Sequence, residues 1–136
     1  VKNIFAYSIL AAAAISLSNC TTMSESKRES HPVTARSGEK KLVFENVQLN
    51  GGCEFVAYPD IDIVEQPKHG RIDILHQLVV ANSHGKKMKC DKVKANGVAV
   101  YYTSQPGYVG SDSFILRSPV EEGHLEEGVA NVKVIK

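Results

Sequence analysis

Residues 98–116 read VAVYYTSQPGYVGSDSFIL, and this stretch decides the fold class. Val98, Val100 and Tyr102 recur at every second position, which puts their side chains on one face of a β-strand. Pro106-Gly107 breaks the run, because proline fixes φ and glycine tolerates a reversal. Beyond the break, Phe114 and Leu116 again share a face. The same period extends outward in both directions. Leu42, Phe44 and, after a one-residue slip, Val47 open it; Ile61 and Ile63 alternate with Asp60 and Asp62; Ile72 and Ile74 alternate with Arg71 and Asp73; Val132 and Val134 close it. Turn chemistry separates the runs at Asn50-Gly51-Gly52, Pro67-Lys68-His69-Gly70, Ser83-His84-Gly85, Asn96-Gly97 and Glu122-Gly123. Short strands at this spacing predict an all-β sandwich of about seven strands over residues 42–136. The ambiguous run Leu75 to Ala81 (LHQLVVA) is read as a continuation of the strand before it.

The bulk numbers agree with a single small domain. The chain has 136 residues, 16 basic and 15 acidic, for a net charge of +1. A nucleic-acid protein would carry a plain basic excess, so that class is excluded as a partner. The length excludes a large multidomain enzyme.

The N-terminal stretch is different in kind. Ile4 to Leu17 (IFAYSILAAAAISL) carries no charge and follows Lys2, the pattern of a secretory signal peptide. A helix of that length spans about 21 Å, short of the roughly 30 Å of a bilayer core. The run ends at Leu17-Ser18-Asn19-Cys20, which resembles a bacterial lipobox, with Asn19 standing where a smaller residue is usual. The resemblance implies that residues 1–19 are removed and that Cys20 becomes an acylated N-terminus, anchored in the membrane by several fatty chains. Thr21 after the cysteine implies the outer membrane of the cell envelope. The alternative is ordinary signal-peptide cleavage with Cys20 an incidental thiol. Residues 20–41, rich in Ser, Thr, Lys, Arg and Glu, are read as a flexible tether, too poor in apolar side chains to offset their ordering entropy.

Two further cysteines, Cys53 and Cys90, lie in the domain. In an exported protein an even pair is read as a disulfide; the alternative is two free buried thiols. A zinc site is disfavoured by the absence of C-x-x-C spacing and of a neighbouring histidine.

Gln66-Pro67-Lys68-His69-Gly70-Arg71-Ile72, then Val100-Tyr101-Tyr102-Thr103, then Pro106-Gly107-Tyr108-Val109-Gly110-Ser111-Asp112-Ser113-Phe114 together resemble the bacterial Ig-like (cadherin-like) repeats of surface proteins. The resemblance implies an Ig-like β-sandwich, with Ser104 replacing the usual proline. Within it each residue has a structural task. Gly70, Gly107 and Gly110 supply positive φ or close backbone approach. Pro67 and Pro106 end the strands before them, and His69 belongs to the turn. Asp112 is expected to accept N–H bonds across its own turn. Phe114 enters the core, with Tyr102 beside it and its hydroxyl at the rim.

No catalytic or cofactor motif appears. The five histidines, His31, His69, His76, His84 and His124, match no zinc spacing. His76 and His84 with Asp73 or Asp91, or Asp60 and Asp62 with Asp112, are the remaining metal candidates, and no metal or cofactor is expected. Glu121, Glu122, Glu126 and Glu127 read as a solvated hairpin tip. The function expected is therefore non-enzymatic: an envelope module that binds a protein partner through its loops or a strand edge. The alternative is an inhibitor of a lysozyme or protease, with Ser83 to Lys89 (SHGKKMK) as its projecting loop.

Overall fold

Val98, Val100 and Tyr102 lie fully inside the protein, as their period requires. They belong to β7 (Lys94–Ser104), the centre of an antiparallel sheet ordered β2-β7-β6, with β2 at Lys40–Asn46 and β6 at Gly70–Val80. The computed structural model describes residues 28–82, 89–120 and 123–136, and these contain no α-helix. A second sheet has the order β1-β9-β8-β5, formed by β1 (Glu29–Arg36), β5 (Asp62–Glu65), β8 (Gly110–Pro119) and β9 (Leu125–Ile135). A small hairpin, β3 (Gln48–Leu49) with β4 (Phe55–Ala57), completes the architecture.

The two larger sheets share one core. Ala35, Phe114, Leu116, Ala130, Val132 and Val134 from the second sheet meet Val98, Val100 and Tyr102 from the first, with Ile61 beside them. Alternate positions of two sheets filling one interior is the arrangement of a β-sandwich. Each large side chain fully withdrawn from water contributes about 1.5–3 kcal/mol. β2 carries a register shift in its pairing with β7, but between Leu42 and Phe44 instead of after Phe44, and the strand ends at Asn46, before Val47. The run after Leu75 does continue its strand, since β6 pairs with β7 without interruption from Gly70 to Val80.

A second, smaller core holds Leu49, Ala81, Cys90 and Ala95, with Val47 and Cys53 packed against it. Cys53 and Cys90 are disulfide-bonded, their Cα atoms 5.3 Å apart. The Asn50-Gly51-Gly52 turn forms as its residues imply: Asn50 Oδ1 accepts hydrogen bonds from the amides of Gly52 at 2.8 Å and Glu54 at 3.0 Å. Gly97 lets the chain leaving β2 cross closely over β7. A Cβ there would sit 2.5 Å from Val79 Cγ2 and 2.6 Å from the Asn46 carbonyl oxygen.

Two expectations change. The tether does not extend to residue 41, because β1 runs parallel to β9 from Glu29 opposite Gly128 to Arg36 opposite Ile135. As an edge strand it buries one face only, so Ala35 in the core and Val33 packed against it suffice, and Pro32 is tolerated. The folded domain thus takes in residues 28–41 as well as those from Leu42 onward. The signal stretch, Cys20 and residues 21–27 lie outside the described residues. Second, Ile72 packs on the core but Ile74 is 36% exposed. Burial along β6 does not keep to a strict alternation: Ile72 and Gln77 are half-buried and Val79, near its far end, is buried.

Candidate functional site

The residues singled out in the sequence converge on one corner, where the turn before β6 meets the start of β8. Asp112 is buried. Its Oδ1 accepts hydrogen bonds from the amides of Lys68 at 2.9 Å and Ser113 at 3.0 Å. Its Oδ2 accepts from the His69 amide at 3.0 Å and from the Tyr102 hydroxyl at 2.9 Å. The Ser113 bond is local, as expected; those from Lys68 and His69 fasten a turn more than forty residues away in sequence, and that from Tyr102 comes from β7 of the facing sheet. Tyr102 is likewise corrected: its hydroxyl is not at the rim but sealed inside, with the residue 0% exposed. Its ring stacks on Phe114 at 5.9 Å between centroids. Gly70 permits this closeness, since a Cβ would stand 2.5 Å from Tyr102 Cε2 and 2.7 Å from the Thr103 carbonyl oxygen.

The remaining motif residues surround this knot. Pro67 is buried in the turn. His69 stacks on Tyr108 at 4.1 Å, and the Tyr108 hydroxyl donates to the Ser111 carbonyl oxygen at 2.6 Å. Pro106 and Gly107 form the turn between β7 and β8, with Gly107 at φ 84°. A carboxylate offers about four acceptor sites, and all of those on Asp112 are engaged by donors of the protein itself. The corner is therefore a clasp between the two sheets and leaves Asp112 no free oxygen for chemistry.

Burial, then the hydrogen bond to Asp112 and its charge, push the Tyr102 phenol well above its ordinary value. The group holds its proton more firmly folded than unfolded, so its contribution is complete below the unfolded value near 10 and is lost as pH rises beyond it. Urea denaturation from pH 8 upward is expected to show stability declining above about pH 10, with a shallower decline in Tyr102→Phe.

Elsewhere the candidates separate. Glu127 is not part of a solvated tip. Its carboxylate takes Arg117 at 2.6 Å and Arg28 at 2.8 Å, and the Arg117 hydrogen bond, then that of Arg28, holds it below its ordinary value. Glu121, Glu122, His84 and Ser83 to Met88 of the candidate inhibitor loop lie outside the described residues. Among the described residues no group of three or more His, Cys, Asp or Glu side chains gathers in a way that could hold a metal ion.

The feature the motifs do not mark is the outer edge of β6. Among the described residues no strand pairs with it. The bonds that flank its ladder fix which backbone groups point outward. The Gln105 amide donates to the His69 carbonyl at 2.8 Å, and the Ala81 amide to the Val93 carbonyl at 2.8 Å. Both are odd-numbered on the β6 side, and ladder bonds alternate along a strand. Arg71, Asp73, Leu75, Gln77 and Val79 thus bond to β7, whereas Ile72, Ile74, His76 and Leu78 aim their N–H and C=O groups away from it. Exposed apolar side chains flank these groups: Leu75 at 38%, Val80 at 42% and Leu78 at 67%. Tyr58 stacks on His76 at 3.8 Å.

No protein-family model, curated protein or solved structure matches this chain. The reading of its site therefore rests on its own geometry.

The other three edges of the two larger sheets each carry a protecting feature. β1 carries Pro32. β2 begins with Lys40 and Lys41 and is bulged between Leu42 and Phe44. β5 has four residues and a register shift between Ile63 and Glu65. Prolines, lysines, bulges and brevity are the devices that keep an edge from pairing. β6 has eleven residues, no proline and no register shift.

Proposed function

We propose that this protein is a non-enzymatic binding module of the bacterial cell envelope, anchored by acyl chains on Cys20, that recognises protein by strand addition at β6. One observation carries the reading: β6 is the longest of the four edges of the two larger sheets and has neither the proline of β1 nor the register shifts of β2 and β5, its two charges lying side by side as the Arg71–Asp73 pair. An open edge supplies main-chain hydrogen bonds to an incoming strand, and alternate side chains supply selectivity. The Ig-like assignment belongs to the same proposal. Its support is the strand order β2-β7-β6 facing β5-β8-β9, which follows the B-E-D and C-F-G order of Ig sandwiches.

Photocrosslinking in intact envelopes tests the proposal, with a photoreactive residue at Leu78 and a control at Ser111 on the second sheet. Adducts with another polypeptide chain are expected from Leu78 and not from Ser111, in protein that fractionates with membranes. Cys20→Ser is expected to move the protein to the soluble fraction. Adducts from Ser111 alone, or none, would overturn the edge reading, and capture of a lysozyme or protease through residues 83–89 would favour the inhibitor instead.

A further inference from the structure

We infer that β6 pairs with β6 of a second copy of this chain, antiparallel about a two-fold axis through Leu75. The inference rests on the edge reading above and names its partner. A two-fold axis normal to a sheet brings residue i opposite residue j with i and j of the same parity, because opposed side chains share a face. Even-numbered residues of β6 point their backbone groups outward, so two such edges meet donor to acceptor.

The register follows from the side chains. Centring on Asp73 would set that carboxylate against its own copy, which is destabilising. Centring on Ile74 would place Asp73 opposite Leu75, and centring on His76 would place it opposite Val79. Centring on Leu75 alone uses the whole strand from Gly70 to Val80 and gives Asp73 a polar partner, Gln77. It joins Ile72 with Leu78 and Ile74 with His76 in the hydrogen-bonded positions, and sets Leu75 against Leu75 where side chains approach most closely.

Charge is compatible with self-association. Arg71 Nε lies 3.5 Å from Asp73 Oδ2 within the strand, so β6 offers its copy a locally neutral edge. The exposed side chains of Ile74, Leu75, Leu78 and Val80 would lie within or beside the new contact. The product is a continuous sheet β2-β7-β6-β6-β7-β2 across two copies.

The test uses the exported chain carrying Cys20→Ser, so that acyl chains cannot drive association. Sedimentation equilibrium is expected to find a reversible dimer. Leu75→Lys and Leu75→Glu should each weaken it at least about tenfold, through like charges in direct opposition, while an equimolar mixture of the two restores dimers containing one of each, captured through a tag on one. Leu75 is part exposed, so folding should survive, and unchanged urea midpoints check this. Leu78→Lys, opposite Ile72, provides a second disruption. A monomer at all concentrations, or a dimer indifferent to all three changes, would overturn the inference. If the chain is monomeric yet Leu78 still crosslinks another polypeptide in the envelope, self-pairing fails and the edge reading stands; if neither occurs, both fail.

Discussion

Replacing Asp112 by alanine is expected to lower the unfolding free energy by about 3–5 kcal/mol, as breaking a buried polar network does. The change removes the acceptor of four hydrogen bonds at once. Three of those donors have no local substitute: the amides of Lys68 and His69 and the sealed hydroxyl of Tyr102. An unsatisfied buried donor costs about 1–3 kcal/mol, and the two amides, being nearer the surface, recover part of that from water. Asp112→Asn separates geometry from chemistry. Its one carbonyl oxygen can still serve Lys68 and Ser113, whereas its NH2 group faces the His69 amide, donor against donor. The asparagine variant should therefore lose less than alanine but well above a surface change. Urea denaturation followed by circular dichroism measures both, and a loss below about 0.5 kcal/mol, the range of surface substitutions, would remove Asp112 from its role as clasp.

Removing the disulfide through Cys53→Ala with Cys90→Ala should produce a comparable loss. The bond closes a separation of 37 residues, for which loop-closure entropy in the unfolded chain is worth about 4 kcal/mol. Cys90 is also 0% exposed, so truncation adds a small packing term. The damage should be local as well as global. Leu49, Ala81 and Ala95 share the small core with Cys90, and amide exchange should accelerate most in β3, β4 and the ends of β6 and β7. Reductant acting on the unmutated protein should reproduce the midpoint shift, and an unchanged midpoint in both experiments would leave the bond without a stabilising role.

How far the residues disclosed this structure depended on the range of the interactions involved. Strands with one buried face, such as β7 through Val98, Val100 and Tyr102, were legible because alternation is a local signal. The turn at Asn50 was legible for the same reason. β1 was not, since an edge strand needs only Val33 and Ala35 inside and otherwise looks like spacer, with Pro32 in its middle. Asp112 was marked as a turn residue, yet its chief partners lie in a turn distant in sequence, which no local pattern encodes. The open side of β6 was legible least of all. Being an edge depends on which strands are neighbours, and the run LHQLVVA has the same composition whether both its sides are paired or only one.

The parallel pairing of β1 with β9 gives the domain a mechanical character. When the protein is stretched between Arg28 and Lys136, the pull runs along both strands in opposite senses. The rungs from Glu29–Gly128 to Arg36–Ile135 then bear the load together in shear, where an antiparallel terminal pair would peel open one rung at a time.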